Sequence, residues 1–438
     1  MTSRSTSTNA VASEGVNMAG TAIDPSTHDR VKSSHFAVLL AACLGWMFDG
    51  FEMGLFPIVA RPALLDMAVG QPHPEVFVGH WMGIITALFL VGAACGGWVL
   101  GWLGDKIGRV RAMSLSILLY SLCTGLGYFA TSPWQLGLFR FAAALGMGGE
   151  WSLGVALVME CWPERFRPYM AGIIGAAANF GFLIIGAVAI NNPVTQGSWR
   201  WMWLVGVAPA FLVFFITIFV PESQRWKESV EAGPSTPLRD IFSRGRLRNT
   251  LIGIVLTSVA LIGTWGSLQW VPVWVDKMVG PSMPLAKAQI GMLSACGAIV
   301  GCIGGSVLWR NSGRRPVFFI LCLSSLAVCG CLYRGGLPYG TAFQFLVFLA
   351  GMTTASFYGW FPLYLPELFP TRMRATGQGV CFNTGRIFAA VGSLTSGSLV
   401  AQFGGDYAKT GAVITLIYVI GMIAIWFAPE TKGKPLPD

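Results

Sequence analysis

The sequence predicts an all-α membrane protein with twelve transmembrane helices, arranged as two pseudo-symmetric bundles of six. Three observations support this fold class: the composition, the recurrence of apolar segments and an internal repeat. Hydrophobic residues make up 54% of the 438 residues and charged residues only 11%, whereas an ordinary soluble domain carries about 25% charged residues. The mean hydropathy of +0.62 is likewise typical of a chain that a lipid bilayer surrounds.

Apolar segments of about 20 residues recur along the whole chain, and each is long enough to cross a hydrocarbon core of about 30 Å. Twelve such segments are present, at residues 36–60, 80–103, 112–131, 133–158, 169–190, 200–220, 249–272, 288–309, 316–334, 340–363, 376–400 and 409–428. Six of them fall in each half of the chain, which predicts the two bundles.

An internal repeat supports the same division. Glu160, Pro163, Arg165 and Arg167 return 207 positions later as Glu367, Pro370, Arg372 and Arg374. Two shorter motifs keep nearly the same offset, because Gly108-Arg109 returns as Gly313-Arg314 and Pro221-Glu222-Ser223 returns as Pro429-Glu430-Thr431. Three motifs in one order predict a duplicated unit of roughly two hundred residues, and a duplicated membrane chain is typical of alternating access around a central site.

The repeat and the apolar segments divide the chain into five regions. We expect a disordered cytoplasmic tail at 1–35, an N-terminal six-helix bundle at 36–220, a cytoplasmic linker at 221–248, a C-terminal six-helix bundle at 249–428 and a cytoplasmic tail at 429–438. The beginning of the chain is rich in Ser, Thr, Asn and Ala without an apolar core, which is typical of disorder and not of a signal peptide.

The net charge of +9 is explained by topology. If the N-terminal tail is inside, 21 of the 29 basic residues lie in cytoplasmic segments and six lie on the other side. This bias predicts that both termini are cytoplasmic and that the protein resides in the inner or plasma membrane. No basic patch is interleaved with aromatic residues, so we expect the lipid bilayer and not a nucleic acid as the large partner.

Cofactor and enzyme chemistry have no support in the sequence. The ten cysteines lie in or beside apolar segments without the spacing of metal ligands, so we expect no metal. No phosphate-binding loop or dinucleotide fingerprint is present, which argues against ATP-driven transport and against a nucleotide cofactor. No nucleophile–base arrangement indicates an enzyme. We therefore expect no cofactor and no catalytic residues.

Five charged residues lie inside predicted spans, where a charge costs at least a few kcal/mol unless it faces a cavity or a partner. They are Asp49 and Glu52 in span one, Arg140 and Glu150 in span four, and Arg386 in span eleven. Glu52 and Arg140 both lie roughly 10–12 Å from the outer end of their helices at 1.5 Å per residue, so they can meet. A carboxylate stays charged beside an arginine and loses its charge in apolar surroundings, so a motion that breaks the contact would release or load a proton.

These embedded charges are not repeated between the halves. Asn179 occupies the position that matches Arg386, and Val255 and Ser258 occupy those that match Asp49 and Glu52. This division predicts proton handling by the first half and anion binding by the second. Arg386 can hold a carboxylate through two parallel hydrogen bonds. The alternative is that the embedded charges are structural ion pairs and that Arg386 locks two helices together.

Polar and aromatic residues of other spans can line the same cavity as Arg386. An amide inside a membrane span needs a hydrogen-bonding partner, which favours a ligand contact or an interhelical contact. The candidates for substrate binding are Asn179, Trp265, Gln269, Tyr358 and Asn383. The alternative for each of them is a side chain that faces lipid or packs between helices.

The loop between spans two and three has the sequence Gly101-Trp102-Leu103-Gly104-Asp105-Lys106-Ile107-Gly108-Arg109. This loop resembles the signature loop of the major facilitator superfamily, in which it latches the two halves on the cytoplasmic side. In the second copy of this loop, in the C-terminal half, Arg310 occupies the position of Asp105. A latch formed by that copy must therefore work differently. The resemblance implies a conformational latch made of Gly101, Gly104, Asp105, Gly108, Arg109, Glu160, Arg165, Arg167, Gly313, Arg314, Glu367, Arg372 and Arg374.

Residues 36–431 are similar to the sugar-porter and metabolite:proton symporter branch of that superfamily. Asp49-Gly50-Phe51-Glu52 resembles the D-G-x-D motif of aromatic-acid:proton symporters, and Gly149-Glu150 with Glu160-Cys161-Trp162-Pro163 resembles sialic-acid:proton symporters. Gly385-Arg386 resembles the span-eleven arginine of organic-anion carriers. In proton-coupled sugar porters the acid that matches Glu52 couples the proton and pairs with the arginine that matches Arg140. The glutamine-rich sugar motif of span seven is missing, which argues against a hexose.

The sequence thus predicts a monomeric symporter that imports an organic monocarboxylate, such as sialic acid or an aromatic acid, with protons. Proton coupling is assigned to Asp49, Glu52, Arg140 and Glu150. Two alternatives stay open. A proton-coupled exporter of metabolites or drugs shares the fold, and a transporter-like membrane sensor is a different class that usually carries a larger soluble output domain than the predicted linker.

Overall fold

A computed structural model of the chain describes residues 31–70, 72–192, 194–233, 237–279, 282–283, 285–308 and 311–437. The first 30 residues of the predicted disordered tail, and Arg310 in the second loop copy, lie outside the described residues.

The N-terminal half contains six long helical segments. They are α1 (Ser33–Met67), α2 (Pro74–Ile107), α3 (Arg109–Leu126), α4 (Pro133–Cys161), α5 (Arg167–Asn191) and α6 (Arg200–Phe219). A 3-10 turn at Ala208–Phe211 interrupts α6. Ser132 caps α4 by accepting a 3.3 Å hydrogen bond from the backbone N–H of Gln135, and Pro133 follows in the first turn, where a proline needs no backbone N–H.

The C-terminal half repeats this plan. Its segments are α7 (Leu247–Val279), α8 (Ala286–Leu308), α9 (Arg314–Arg334), α10 (Thr341–Glu367), α11 (Arg374–Gln402) and α12 (Tyr407–Phe427). Short 3-10 or turn segments interrupt α7 and α12, as one interrupts α6. The linker between the halves contains two short helices, Gln224–Glu231 and Pro237–Ile241.

Among the described residues, eleven of these segments are long and apolar enough to cross a membrane. The remaining segment, α11, has the length of its neighbours but carries Gln378, Asn383 and Arg386. The predicted fold class, twelve transmembrane helices in two six-helix bundles, is confirmed. Several helices are longer than the predicted apolar segments; α1, for example, continues through Pro57 and Pro62 to Met67. The apolar pattern reports the lipid-embedded part of a helix, whereas the helix itself extends beyond it.

The two halves are in close contact where α2 meets α11. Gly101 of α2 faces the backbone of Ala375, and a Cβ atom on Gly101 would lie 2.8 Å from the Ala375 carbonyl oxygen. Gly104 packs against the Leu153 side chain of its own half and the Ala375 side chain of α11. These glycines therefore permit a backbone contact between the halves that larger residues would prevent.

The end of the molecule that carries the linker is called the linker face. It also carries residues 162–166 and residues 368–373. The start of α1 lies there too, because the Trp162 indole N–H donates a 2.9 Å hydrogen bond to the His35 carbonyl oxygen. The opposite end is called the far face. Since α5 and α7 run away from the linker face and α8 and α10 run towards it, residues near Asn191, Val279, Ala286 and Thr341 lie at the far face.

Candidate functional site

A central cavity of about 540 Å³ lies between the two halves. Its walls come from α1 and α5 of the first half and from α7, α8, α10 and α11 of the second. The lining residues extend to Ile190, Pro272 and Ile290, which lie close to the ends of their helices at the far face. The cavity therefore runs from the middle of the molecule to the far face.

Five of the six predicted substrate-binding residues line this cavity. They are Asn179 of α5, Trp265 and Gln269 of α7, Tyr358 of α10 and Arg386 of α11. Arg386 lies twelve residues into α11, a depth of ~18 Å at 1.5 Å per residue. The Tyr358 hydroxyl lies beside the Thr264 hydroxyl, so both are placed on one wall. The cavity thus combines one cation, two amides and several aromatic rings.

Arg386 is the cation of the cavity, and its side chain is largely buried at 6% exposure. Its Nη1 atom donates a 3.0 Å hydrogen bond to the Asn383 Oδ1 atom. Its guanidinium carbon lies 5.2 Å from the centre of the Phe382 ring. Within the described part of the chain, Arg386 forms no ion pair with a carboxylate, although Asp49 lies within electrostatic range. A buried cation without an ion-pair partner favours an anionic ligand in the cavity.

Asn383 is the predicted substrate residue that lies elsewhere. It is 1% exposed, and it does not occur among the described residues that line the cavity. Its Nδ2 atom donates hydrogen bonds of 3.2 Å to the Gly148 carbonyl oxygen of α4 and 2.9 Å to the Gly379 carbonyl oxygen. Asn383 therefore joins the halves and orients Arg386 from behind, because its Oδ1 atom accepts from the guanidinium.

Aromatic rings close the cavity on the side of the linker face. Trp46 and Phe382 belong to its lining. The Phe382 ring stacks on the Trp151 ring of α4 with centroids 4.1 Å apart, and the Trp46 ring lies 6.4 Å from that of Trp151. Because Phe382 belongs to the second half and the two tryptophans belong to the first, this aromatic layer separates when the halves move apart at the linker face.

Glu52 and Arg140 form an ion pair in the N-terminal half, as their equal depth in the sequence predicts, and both side chains are 2% exposed. Aromatic rings surround the guanidinium carbon of Arg140, with the Phe89 centroid at 4.4 Å and the Phe56 centroid at 5.1 Å. Neither charged residue lies among the described lining of the central cavity. The pair is thus a separate charged site beside the cavity, held in an apolar cage.

Asp49 and Glu150 lie in the same half without direct partners. Asp49 is 0% exposed and Glu150 is 1% exposed, and no described residue donates a hydrogen bond to any of their four carboxyl oxygens. Asp49 lies within electrostatic range of Glu150, Glu52 and Arg386. An ionised carboxyl in such a place is costly, whereas its protonated form is not. Asp49 thus connects the acidic groups of the first half to the cavity arginine.

The linker face is closed by a buried charge network centred on Arg109 and Glu160. Arg109 donates hydrogen bonds to both Glu160 oxygens, at 3.0 and 3.3 Å, and to Asp105 at 2.7 Å. All three side chains are fully buried. The φ of Gly108 is +106°, a left-handed backbone conformation that favours glycine, and it ends α2 and begins α3 at this point.

Hydrogen bonds of Arg109, Glu160 and Asp105 extend the network across the boundary between the halves. Arg109 donates a 2.7 Å hydrogen bond to the Thr371 carbonyl oxygen, and Arg374 donates a 2.9 Å hydrogen bond to Glu160. The Asp105 carboxylate accepts a 2.8 Å hydrogen bond from the backbone N–H of Thr376, in the first turn of α11. A carboxylate at a helix N-terminus is stabilised by the helix dipole and by unpaired N–H groups. The halves are therefore held together at the linker face and apart at the far face.

The C-terminal copy has the same arrangement inside one half. Arg314 donates hydrogen bonds of 2.7 and 3.0 Å to Glu367, as Arg109 does to Glu160. Gly313 precedes α9 with an ordinary φ of −62°, so the backbone conformation of Gly108 is not repeated. Among the described residues the Arg314–Glu367 pair forms no ion pair across the boundary, although Glu367 lies within electrostatic range of Arg167 in the first half.

Two glutamates that the predicted latch omits support both copies. Glu222 accepts hydrogen bonds from the backbone N–H groups of Arg109 and Val110, and Glu430 accepts from those of Arg314 and Arg315. Burial raises the pKa of Glu222 despite these bonds. Burial also opposes the charge of Glu430, but its backbone hydrogen bonds outweigh the burial and lower its pKa. The repeated Pro-Glu-Ser/Thr motif was the signal in the sequence that pointed to them.

Three arginines of the predicted latch lie at the edge of this network. Arg165 is exposed, with its guanidinium carbon 4.6 Å from the centre of the neighbouring Phe166 ring. Arg167 pairs with Glu164 of its own loop at 2.9 Å. Arg372 is exposed at the linker face. Arg109, Glu160 and Arg374 therefore form the buried ion pairs of the network, whereas Arg167, although buried, pairs with the exposed Glu164 and lies within electrostatic range of Glu367 in the other half.

Comparison with known proteins agrees with this architecture. The model of the Major Facilitator Superfamily matches residues 38–393. A putative metabolite transport protein of Haemophilus influenzae is 30% identical over 421 residues, which cover 93% of this chain and 99% of that protein. The cis,cis-muconate transport protein of Acinetobacter baylyi is 28% identical over 364 residues, which cover 81% of this chain and 86% of that protein.

A solved structure shows the same fold. The proton:xylose symporter XylE bound to 6-bromo-6-deoxy-D-glucose superposes with a TM-score of 0.75, covering 92% of this chain and 98% of that chain. The two sequences are 19% identical.

Proposed function

The chain belongs to the Major Facilitator Superfamily, and from this premise we propose that it is a proton-coupled symporter that takes up an organic carboxylate by alternating access. It is a multi-pass membrane protein and a metabolite transporter, not an enzyme. The resemblance of its sequence to the metabolite:proton symporter branch is confirmed. The substrate class, the proton coupling and the direction of transport form the proposal.

The single observation that carries the proposal is the environment of Arg386. Its buried guanidinium lines the cavity, is oriented by Asn383 at 3.0 Å, and has no carboxylate ion-paired to it within the described chain. A carboxylate that enters the cavity would supply the missing charge and accept two parallel hydrogen bonds. A neutral sugar would leave that buried charge uncompensated. The name of the cis,cis-muconate relative is consistent with such a substrate.

We place the linker face, and with it both termini, in the cytoplasm of a cell whose inner or plasma membrane holds the protein as a monomer. The excess of basic residues in the segments of that face supports this orientation. The cavity then faces outward, and the Arg109–Glu160–Arg374 network closes the inner side. This conformation is the one that would receive substrate and protons from outside.

Proton coupling is assigned to Asp49, Glu52 and Glu150, with Arg140 as the partner of Glu52. The Glu52–Arg140 ion pair and the two unpartnered carboxyls provide three buried acids beside the cavity. Asp49 is the acid that interacts electrostatically with both Arg386 and Glu150. When the carboxylate binds Arg386, the attraction between Arg386 and Asp49 is weakened, so Asp49 is more readily protonated. A protonated Asp49 and a neutralised Arg386 leave little uncompensated charge in the closing cavity.

Uptake into proteoliposomes tests this function. Purified protein is reconstituted, and the uptake of labelled cis,cis-muconate, sialic acid and benzoate is measured with and without an inward proton gradient. We expect at least one carboxylate to accumulate against its gradient only when the external solution is the more acidic. Xylose and glucose are the neutral controls. Accumulation of a sugar alone would refute the substrate class, and proton-driven efflux alone would establish the exporter.

A further inference from the structure

A second cavity, of about 320 Å³, lies at the linker face, and we call it the seam pocket. Its lining residues are Arg225, Glu228, Ser229, Ala232 and Gly233 of the linker, together with Thr371 and Arg372 of the loop that precedes α11. The seam pocket is distinct from the central cavity, because the two share no lining residue among those described.

The two walls of the seam pocket belong to different halves. The linker helix is fixed to the first half, because the Trp226 indole N–H donates a 3.0 Å hydrogen bond to the Asp105 carbonyl oxygen. The opposite loop is fixed to the second half, because the Asn249 amide donates a 3.3 Å hydrogen bond to the Leu368 carbonyl oxygen. Opening of the linker face would therefore pull the walls apart.

The charges of the seam pocket are not balanced from within. Arg225 and Arg372 form no ion pair in the part of the chain that the structure describes. Arg246 lies within electrostatic range of Arg372, and Arg374 lies within range of Arg225. The lining contains one acid, Glu228, which is exposed and accepts a 3.1 Å hydrogen bond from Gln224. Asp240 offsets part of the charge of Arg246, and Glu160 pairs with Arg374, but neither acid belongs to the lining of the seam pocket. An anion placed between Arg225 and Arg372 would be attracted by both.

The linker wall of the seam pocket is not repeated among the described residues of the second copy. Arg165 matches Arg372 at the offset of 207, but residues 432–437, which follow the second Pro-Glu-Ser/Thr motif, form no helix that would match the linker helix. The helix that carries Arg225 is therefore not part of the fold that the two copies of the repeat share. This difference indicates a role for the seam pocket beyond the scaffold.

We propose that the seam pocket binds a phosphate-bearing anion that bridges Arg225 and Arg372 and holds the linker face closed. Arginine binds phosphate oxygens through two parallel hydrogen bonds. Ser229 and Thr371 belong to the same lining. The phosphate comes either from a soluble polyphosphate or from the headgroup of an anionic lipid. Because the anion contacts both walls only while they adjoin, a concentration of 100 Kd would favour the closed conformation about 100-fold.

Calorimetric titration of the purified full chain tests binding. In the first arm the protein is in neutral detergent and is titrated with inorganic pyrophosphate. In the second arm it is reconstituted in vesicles of neutral phosphatidylcholine, with or without phosphatidylglycerol, and the thermal stability of the protein in the two kinds of vesicle is compared. We expect Arg225→Gln and Arg372→Gln each to weaken binding about tenfold or more. Lys227→Gln is the matched control, since Lys227 lies on the same helix but outside the pocket lining. Glu228→Gln should strengthen binding about threefold by removing a repulsive charge, and misfolding does not produce such a gain.

The two arms distinguish the sources of phosphate. Saturable binding of pyrophosphate identifies a soluble anion, and stabilisation by phosphatidylglycerol alone identifies a lipid headgroup. The proposal is overturned if neither probe acts, or if Lys227→Gln weakens binding as much as Arg225→Gln.

The effect on transport rests on the proposed function: pyrophosphate enclosed on the side of the linker face should slow uptake. Binding without slower uptake would refute the closing role, whereas the absence of any uptake would count against the transport function and leave the binding result intact.

Discussion

Arg374 donates a 2.9 Å hydrogen bond to Glu160 across the boundary between the two halves, although 214 residues separate them in the chain. Both side chains are fully buried. Glu160 is also the acceptor for Arg109 of its own half. One carboxylate thus joins the charge pair of the first copy of the repeat to an arginine of the second copy. The pair that matches Glu160 and Arg374 at the offset of 207 is Glu367 and Arg167, which lie within electrostatic range of each other but form no ion pair within the described chain. The linker face is therefore closed asymmetrically, because one of two equivalent pairs makes a direct ion pair across the boundary and the other does not.

The first prediction concerns this contact. Glu160→Gln should favour opening of the linker face, because it leaves Arg109 and Arg374 buried without their carboxylate, and breaking a buried ion pair costs about 3–5 kcal/mol. A cysteine introduced at Ser152, which lies against Gly379 across the boundary, should then react at least about tenfold faster with a thiol reagent. Mass spectrometry of the peptide that contains residue 152 measures the rate. The control is Glu164→Gln, which removes the exposed partner of Arg167. Equal labelling in the two variants would contradict the assigned role of Glu160.

The second prediction concerns the cavity arginine. Arg386→Ala should abolish saturable binding of the transported carboxylate, because the loss of one partner of a buried charge pair costs about 2–5 kcal/mol. Arg386→Lys retains the charge but not the two parallel hydrogen bonds, so it should weaken binding about tenfold or more. Equilibrium binding to the purified protein measures both effects. If Arg386→Ala binds the acid with the affinity of the wild type, Arg386 locks helices instead of holding substrate.

The third prediction separates proton coupling from substrate movement. Glu52→Gln should remove accumulation driven by a proton gradient but retain exchange of external for internal substrate, because exchange needs no net proton transfer. Uptake and counterflow in proteoliposomes measure the two activities. The matched control is Asp66→Asn in the same helix, since Asp66 pairs at 3.1 Å with Arg200 and both are about a third exposed. Persistent proton-driven accumulation in Glu52→Gln would transfer the coupling role to Asp49 or Glu150, and Asp49→Asn then tests the first of them.

The fourth prediction concerns pH and the cap of α9. Backbone hydrogen bonds outweigh the effect of burial and lower the pKa of Glu430. The pKa of a glutamate in the unfolded chain is about 4.3. Because the pKa of Glu430 is lower than this in the folded protein, ionised Glu430 stabilises the fold above the unfolded pKa, and this stabilisation is lost as the pH falls through the folded pKa. The Tm of Glu430→Gln should therefore lie below that of the wild type at pH 7, and the difference should vanish once the pH has fallen below the lowered pKa. Because Glu430 is only partly buried, the effect should stay under about 1 kcal/mol.

Glu222 provides the contrast for that measurement. Burial raises its pKa, which is the opposite direction from Glu430. The ionised form of Glu222 is therefore the less favourable one in the folded state, and its contribution to stability grows as the pH falls through the raised pKa. In the part of the Tm that depends on this ionisation, Glu222→Gln should accordingly lie above the wild type at pH 7, the opposite sign from Glu430→Gln, and the difference should shrink as the pH falls and Glu222 is protonated. Identical pH profiles for the two variants would show that the two caps are equivalent.

Much of the fold was predictable because it depends on local properties of the chain. The apolar segments predicted the helices, since a bilayer requires a continuous apolar helix of sufficient length. Equal depth in antiparallel helices predicted that Glu52 and Arg140 can meet, and the structure places them in an ion pair. The repeat predicted that Arg109 and Arg314 occupy equivalent positions, and each pairs with the equivalent glutamate.

The candidate site was predictable only in part. Five substrate candidates line one cavity, but Asn383 lies behind it and bonds to Gly148 of the other half. The spacing of residues in a helix shows which of them share a face of that helix. Which other helix packs against that face is decided by contacts between segments that are distant in the chain. For the same reason the sequence did not reveal that Glu222 and Glu430 cap α3 and α9.

The sequence by itself determined the membrane class, the twelve spans, the duplication and the identity of the buried charges, because composition and spacing along one chain carry that information. Only the tertiary structure decided which of two equivalent charge pairs joins the halves, which candidates share the cavity and which face is closed. Those outcomes depend on contacts such as the one between Glu160 and Arg374. Such a contact stabilises the protein only after folding has brought together two helices that are distant in the chain.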